Sequence, residues 1–200
     1  MVPHGSASQN DWSVVDWSRI PPPVDDGGTD HLQPGLVLPS LPQGTHLVST
    51  DGARIDPSRL PGRTVLYAFP ITGRPDQDLP RGWDMIPGAR GCTPQSCAFR
   101  DHFRELQTLR VQHIFGVSTQ TPEYQTKAVA RLHLPFSLLS DQDLVCANLW
   151  KLPTVQVEGR TLLQRVTLII DDGVVKAKFY PIFPPNQNAL RVIQWLTHEE

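Results

Sequence analysis

Two cysteines, Cys92 and Cys97 in Gly91-Cys92-Thr93-Pro94-Gln95-Ser96-Cys97-Ala98-Phe99-Arg100-Asp101, are the residues of this chain whose type and spacing could do chemistry. That chemistry is thiol redox. A thiolate in the first turn of a helix is stabilised by the partial positive charge of unpaired backbone N–H groups, which lowers the pKa of a thiol placed there and favours its nucleophilic form at neutral pH. Once such a sulfur has been oxidised to a sulfenic acid, a second cysteine nearby captures it as a disulfide before further oxidation destroys it. The third cysteine, Cys146, lies in the apolar helical pattern Leu144-Val145-Cys146-Ala147-Asn148-Leu149-Trp150. It is expected in the core, because free cysteine is among the residue types most often buried.

The rest of the composition narrows the setting. No second Cys or His pair stands at a zinc-like spacing from Cys92 and Cys97, so no metal site is expected. With 200 residues, 39% hydrophobic and 19% charged, the chain fits one domain with a sizeable core. A formal charge of -2 and the absence of a basic stripe with interleaved aromatics argue against nucleic acid as a partner. No apolar run approaches the roughly 18–20 residues that span a bilayer, so no membrane insertion is expected. Met1-Val2-Pro3-His4-Gly5-Ser6 lacks a basic region followed by an apolar stretch, and an uneven cysteine count suits a reducing compartment. The expected location is the cytoplasm.

The elements that must position the cysteines follow from periodicity. Residues 1–30 are polar and Pro-rich, with Pro21-Pro22-Pro23 and Asp25-Asp26-Gly27-Gly28, and are expected as a flexible extension in which Trp12 and Trp17 could dock on the domain or a partner. The domain proper is expected over residues 31–200. Leu36-Val37-Leu38 reads as a short strand, and Thr64 to Phe69 as a central strand covered on both faces. An irregular stretch from Ile71 to Gly91 leads straight to Cys92. Phe99, Phe103, Leu106 and Leu109 then recur at helical spacing, which puts both cysteines on the first turns of one amphipathic helix.

A buried strand over His113 to Ser118 and a helix through Tyr124 to Leu132 follow, and the order strand, helix, strand, helix implies parallel pairing with right-handed crossovers. Gln164 to Ile170 and Val174 to Tyr180 flank Asp171-Asp172-Gly173, a hairpin signal. Ala189, Val192, Ile193 and Leu196 mark a final helix. The expected fold class is α/β: a thioredoxin-like three-layer sandwich, with a mixed β-sheet and helices on both faces.

Three phrases, taken in order, carry a family resemblance: Gly91-Cys92-Thr93 with Cys97-Ala98-Phe99-Arg100-Asp101; Leu134-Pro135-Phe136-Ser137-Leu138-Leu139-Ser140-Asp141; and Arg165 opening the penultimate strand. From about residue 33 to 196 the chain resembles the peroxiredoxins, most closely the Q branch that includes the bacterioferritin-comigratory proteins. The resemblance implies a thiol peroxidase without a bound cofactor, acting on hydrogen peroxide or organic hydroperoxides. It assigns Cys92 as the peroxidatic cysteine and Cys97 as the resolving one, with Arg165 holding thiolate and peroxide by charge-assisted hydrogen bonds. The implied reductant is a thioredoxin or glutaredoxin, and the implied state a monomer or homodimer.

The chain departs from the family pattern before Cys92. Ala89 and Met85 stand where the family carries threonine and proline, and an insertion replaces a short approach loop. The hydroxyl that orients peroxide must then come from elsewhere, with Thr93 and Thr72 as candidates. A second alignment, through Pro87-Gly88-Ala89 and Thr93-Pro94, makes Cys97 the nucleophile but must absorb extra residues; the first needs no gap. Two further readings stand beside the peroxidase: a thiol–disulfide oxidoreductase acting on protein disulfides, and a scaffold with inert thiols. His102 and His113 are expected to be structural. On an intact helix the offset from Cys92 to Cys97 separates their Cα atoms by roughly 8–9 Å and about 140° of rotation, whereas a disulfide tolerates no more than about 7 Å. The helix is therefore expected to unwind around residues 92–100 when the disulfide forms.

Overall fold

A computed structural model describes residues 15–199; Trp12 and the first residues read above for a leader lie outside them. The strands are β1 (Leu47–Ser49), β2 (Arg54–Ile55), β3 (Arg63–Ala68), β4 (Val111–Ser118), β5 (Leu138–Ser140), β6 (Thr154–Val157), β7 (Arg160–Leu163), β8 (Thr167–Asp171) and β9 (Val174–Phe179). The helices are α1 (Cys92–Asp101), α2 (Phe103–Thr108), α3 (Pro122–Leu132), α4 (Val145–Leu149) and α5 (Asn188–His198). Seven strands form one sheet in the order β2-β1-β5-β4-β3-β8-β9, and β6 with β7 forms a separate ribbon. Pairing of β3 with β4 and of β4 with β5 is parallel, and all other pairs are antiparallel. The mixed sheet and its right place for a long apolar β3, flanked on both sides, are as expected.

Alternation along the strands builds two cores. Val65, Tyr67, Ile114, Leu138 and Ile169 point to one face, where Phe99 of α1, Leu106 of α2, Ala128 of α3 and Val192 of α5 cover them. Leu66, Ala68, Val117, Leu139 and Leu168 point to the other face, under α4, with Cys146 and Trp150, and under the segment holding Leu32, Leu38 and Leu41. Cys146 is fully buried, as expected of a core residue. The hairpin at Asp171-Asp172-Gly173 also forms as read, with φ of 48° and 80° at Asp172 and Gly173.

Three expectations are corrected. Leu36-Val37-Leu38 runs along the edge of β9 but makes a single bridge, Val37 to Val174, because Pro34 and Pro39 remove ladder donors on either side. The strand drawn from Gln164 begins at Thr167, since the Gln164 N–H is turned to the Pro153 carbonyl. The single helix drawn from Cys92 to Leu109 is two, because His102 leaves helical geometry (φ -98°, ψ 11°) and its N–H bonds back to the carbonyls of Ala98 and Arg100. The stretch from Ile71 to Gly91 is irregular as expected, apart from one short 3-10 turn, but it is anchored: Ile71, Trp83 and Ala89 close a third apolar cluster with Val157 and Leu162 of the β6–β7 ribbon.

Candidate active site

Cys92 is the first residue of α1, directly after Gly91, whose φ of 107° is open to glycine and strained for any residue with a Cβ. The same glycine is needed for close approach, since a Cβ there would lie 2.4 Å from Pro185 Cγ and 2.8 Å from Trp17 Cη2. The turn thus aims Cys92 inward, where it is 4% exposed. Its thiol donates to the Ala89 carbonyl at 3.7 Å, and Arg165 Nη2 lies 3.4 Å from Sγ.

Arg165 itself is 3% exposed and arrives from the residues just before β8. Its Nη2 also donates to the carbonyls of Gly88, Ala89 and Arg90, each at 3.2 Å, so the end of the insertion forms a cradle of oxygens around the guanidinium. Nη1 donates to Gln95 Oε1, on the helix turn that follows Cys92. Nε is buried without a protein partner. A buried cation beside a cysteine sulfur, with a donor left over, suits charge that develops on sulfur and on peroxide oxygens.

Cys97 lies on α1, half-buried. Burial pushes its thiol up from the ordinary cysteine value, outweighing the nearby guanidinium groups of Arg100 and Arg131. The structure thus brings Cys92 and Arg165 together and leaves Cys97 on another side of the same intact helix, with all three cysteines as free thiols.

Of the two hydroxyl candidates, Thr72 is spoken for, since its Oγ1 donates to Gln120 Oε1 at 3.2 Å. Thr93 lines a narrow crevice, with a cavity volume of about 10 Å³, together with Cys92, Gly91, Ile71, Trp83 and Arg90. Ala89, in the family's threonine position, offers its carbonyl to Arg165 and Cys92, while Met85 stands out in solvent. His102 Nδ1 pairs with Glu105, and His113 Nε2 with the Pro61 carbonyl. Among the described residues no group of three His, Cys, Asp or Glu could hold a metal ion, and no helix is long and apolar enough to cross a membrane.

Sequence reasoning missed Gln95, Asn188 and Thr167, fully buried polar residues that tie α1, α5 and β8 together: Gln95 Nε2 donates to Asn188 Oδ1 at 2.9 Å, and Thr167 Oγ1 donates to the same oxygen at 2.7 Å. The one readable signal was Gln95 itself, a glutamine on the inward face of the helix. Trp17 was read only as a docking candidate; its ring meets Phe183 edge to face, centroids 6.0 Å apart, over the start of α1.

Comparison with known proteins identifies the family. Residues 37–193 match the family model described as Redoxin. Peroxiredoxin Bcp of Escherichia coli K12 is 29% identical over 169 residues, covering 82% of this chain and 96% of that protein. The chloroplastic peroxiredoxin Q of Gentiana triflora is 25% identical over 181 residues, covering 90% and 75%. The crystal structure of peroxidoxin BcpB from Mycobacterium tuberculosis superposes with a TM-score of 0.64 at 23% identity, over 85% of this chain and 99% of that one. With a thioredoxin-like sheet, a buried cysteine at the start of a helix and an arginine on its sulfur, the chain belongs to the Redoxin family, and it is a peroxiredoxin, a thiol-dependent peroxidase.

Proposed function

We propose that Cys92 is the sulfur that attacks peroxide and Cys97 the one that resolves it, with Arg165 stabilising the charge that passes from the Cys92 sulfur to the peroxide oxygens. The observation that carries this reading is the Arg165 guanidinium 3.4 Å from Cys92 Sγ. Among the described residues no guanidinium hydrogen-bonds the Cys97 sulfur, and its thiol is pushed up by burial, which argues against the alignment that would make it the nucleophile.

In the first step the Cys92 thiolate attacks one oxygen of ROOH, the O–O bond breaks, and the departing oxygen takes a proton to leave as ROH, or as water from hydrogen peroxide. Cys92 is left as a sulfenic acid. In the second step the Cys97 thiolate attacks Cys92 Sγ, hydroxide leaves and is protonated to water, and the disulfide forms. Because α1 holds the two cysteines about 140° apart, the second step requires α1 to unwind. A dithiol protein of the thioredoxin or glutaredoxin kind then reduces the disulfide through a mixed disulfide. Since both cysteines belong to one chain, catalysis needs no partner subunit, and a monomer or homodimer serves equally. A cycle that begins from free thiols belongs in a reducing compartment, here the cytoplasm.

The test is peroxide consumption coupled to thioredoxin reductase for wild type, Cys92→Ser and Cys97→Ser, with mass spectrometry of the oxidised sulfur. Cys92→Ser should lose all reaction with peroxide, and Cys97→Ser should trap sulfenic or sulfinic acid on Cys92. The reverse pattern would move the nucleophile to Cys97, and a wild type that exchanges disulfides but ignores peroxide would overturn the reading.

A further inference from the structure

Arg165 depends on Gln95 for the aim of Nη1, and Gln95 presents an amide that could face it either way round. With the carbonyl toward the guanidinium the pair is an acceptor against a cation; reversed, two donors oppose each other. What holds the amide the right way is on its far side. Asn188 Oδ1 lies 2.9 Å from Gln95 Nε2, and an oxygen can only accept, so it selects the orientation in which Gln95 Oε1 points at Arg165. Thr167 fixes Asn188 in turn, donating to the same Oδ1 at 2.7 Å. Gln95, Asn188 and Thr167 are each 0% exposed, so water cannot substitute for any of the three.

The chain of bonds has one direction, set by the charge at its end. Its signature is a defect: Asn188 Nδ2 is buried without a hydrogen-bond partner. Reversing Asn188 would turn that nitrogen toward Gln95 and Thr167. Gln95 would then have to reverse as well and set its own NH2 against Arg165. The unmet donor is thus the cost of keeping the carbonyl on the guanidinium, and a buried unmet donor calls for such a reason. Thr167 opens β8 two residues after Arg165, while Asn188 opens α5 and Gln95 lies on α1. The relay therefore refers the guanidinium to three elements of the core.

We propose that Asn188, held by Thr167, is a positioning residue for the peroxide step, acting through Gln95 on Arg165. The inference rests on the reading of Cys92 and Arg165 given above. The experiment is a double-mutant cycle on the full chain. The rate of sulfenic acid formation at Cys92 with hydrogen peroxide is followed in stopped flow for Gln95→Ala, Asn188→Ala and both together, with urea unfolding recorded beside each.

Partners that orient a functional side chain from behind are typically worth about 10–100-fold. Asn188→Ala should therefore slow the peroxide step by at least about tenfold. The double variant should be no slower than Gln95→Ala alone, because a residue that acts through Gln95 has nothing left to act on. A purely structural asparagine would give multiplying effects in the double variant, and that result overturns the proposal, as does an unchanged rate in Asn188→Ala. Should Asn188→Ala not fold, Thr167→Val in the same cycle with Gln95→Ala should show the same non-additivity. Asn188→Asp, whose carboxylate can only accept, should keep more of the rate than Asn188→Ala. Failure of the underlying reading looks different: Arg165→Gln would then leave the peroxide step untouched, whatever Asn188 did.

Discussion

Replacing Ser96 by alanine should speed disulfide formation, and the size of the effect follows from one buried hydrogen bond. The Tyr67 hydroxyl donates to Ser96 Oγ at 3.0 Å on α1, in surroundings where the phenol is fully buried. The ring cannot move to find another partner. It stacks on Phe99 with centroids 4.5 Å apart, and the backbone of Gly116 lies so close that a Cβ there would be 2.6 Å from Tyr67 Cζ. Burial also holds the phenol far above the ordinary tyrosine range, so it stays a neutral donor.

In Ser96→Ala the hydroxyl is left unmet while α1 is intact, a cost of about 1–3 kcal/mol, against which alanine's better helix propensity returns roughly 0.5 kcal/mol. Once α1 has unwound, solvent can reach the hydroxyl and the cost disappears. The unwound form therefore gains about 0.5–2.5 kcal/mol, which corresponds to roughly 2–70-fold faster disulfide formation if unwinding precedes bond formation. The assay adds one equivalent of peroxide and follows loss of the sulfenic acid by rapid quench and mass spectrometry. Tyr67→Phe/Ser96→Ala removes both partners and should return to the wild-type rate or fall below it, since neither partner is then stranded. Disulfide formation in Ser96→Ala at or below the wild-type rate would refute the argument, and so would unchanged amide exchange across residues 92–101 between the reduced and oxidised proteins.

Further outcomes follow from the same neighbourhood. Gly91→Ala combines a positive φ with a Cβ 2.4 Å from Pro185 Cγ, and should cost about 2–5 kcal/mol in urea unfolding; a loss below about 1 kcal/mol would count against the geometry. Trp17→Ala removes an edge-to-face contact with Phe183 beside the start of α1, and should speed disulfide formation by about 2–10-fold, read by the same quench assay. Because burial pushes the Cys97 thiol up, the resolving rate should go on rising with pH past the ordinary cysteine value near about 8.5; a plateau below it would contradict the assignment. Cys146 is buried and pushed well up, so iodoacetamide at neutral pH should leave it unlabelled in the native protein and label it in urea.

The sequence made legible what depends on neighbours along the chain. The near-continuous apolar run of β3, the Asp-Asp-Gly hairpin and the helical spacing of Ala189, Val192, Ile193 and Leu196 are local patterns, and each element is where its pattern put it. The break at His102 was hidden because Phe99, Phe103, Leu106 and Leu109 keep helical spacing straight across it. The β6–β7 ribbon was missed because its strands are short and half-exposed; the turn at Glu158-Gly159, with φ of 48° and 76°, was its one legible mark. Cys92 and Arg165 were found through motifs, but their neighbours were not. Whether a glutamine or asparagine is a solvated side chain or a buried link is decided by partners far away in sequence, as Gln95 and Asn188 are from each other.

With Cys92 and Cys97 in the roles proposed for them, the site must meet two opposed demands, and the partition of Arg165's hydrogen bonds reconciles them. Attack on peroxide needs α1 wound, since only then do Gln95 and Cys92 both face the guanidinium. Resolution needs α1 unwound, which removes both. If those two contacts were the whole of its support, Arg165 would be stranded in the core each time the disulfide formed, a buried cation without partners and costly to keep there. The three carbonyls of Gly88, Ala89 and Arg90 do not belong to α1. They lie at the end of a segment pinned by its own apolar cluster on the β6–β7 ribbon, and Pro23 packs against Gly88 from outside. The insertion that displaces the family's short approach loop thus supplies a support independent of the helix. On the proposed mechanism the guanidinium should stay seated while α1 opens, in place for Cys92 when reduction lets the helix rewind.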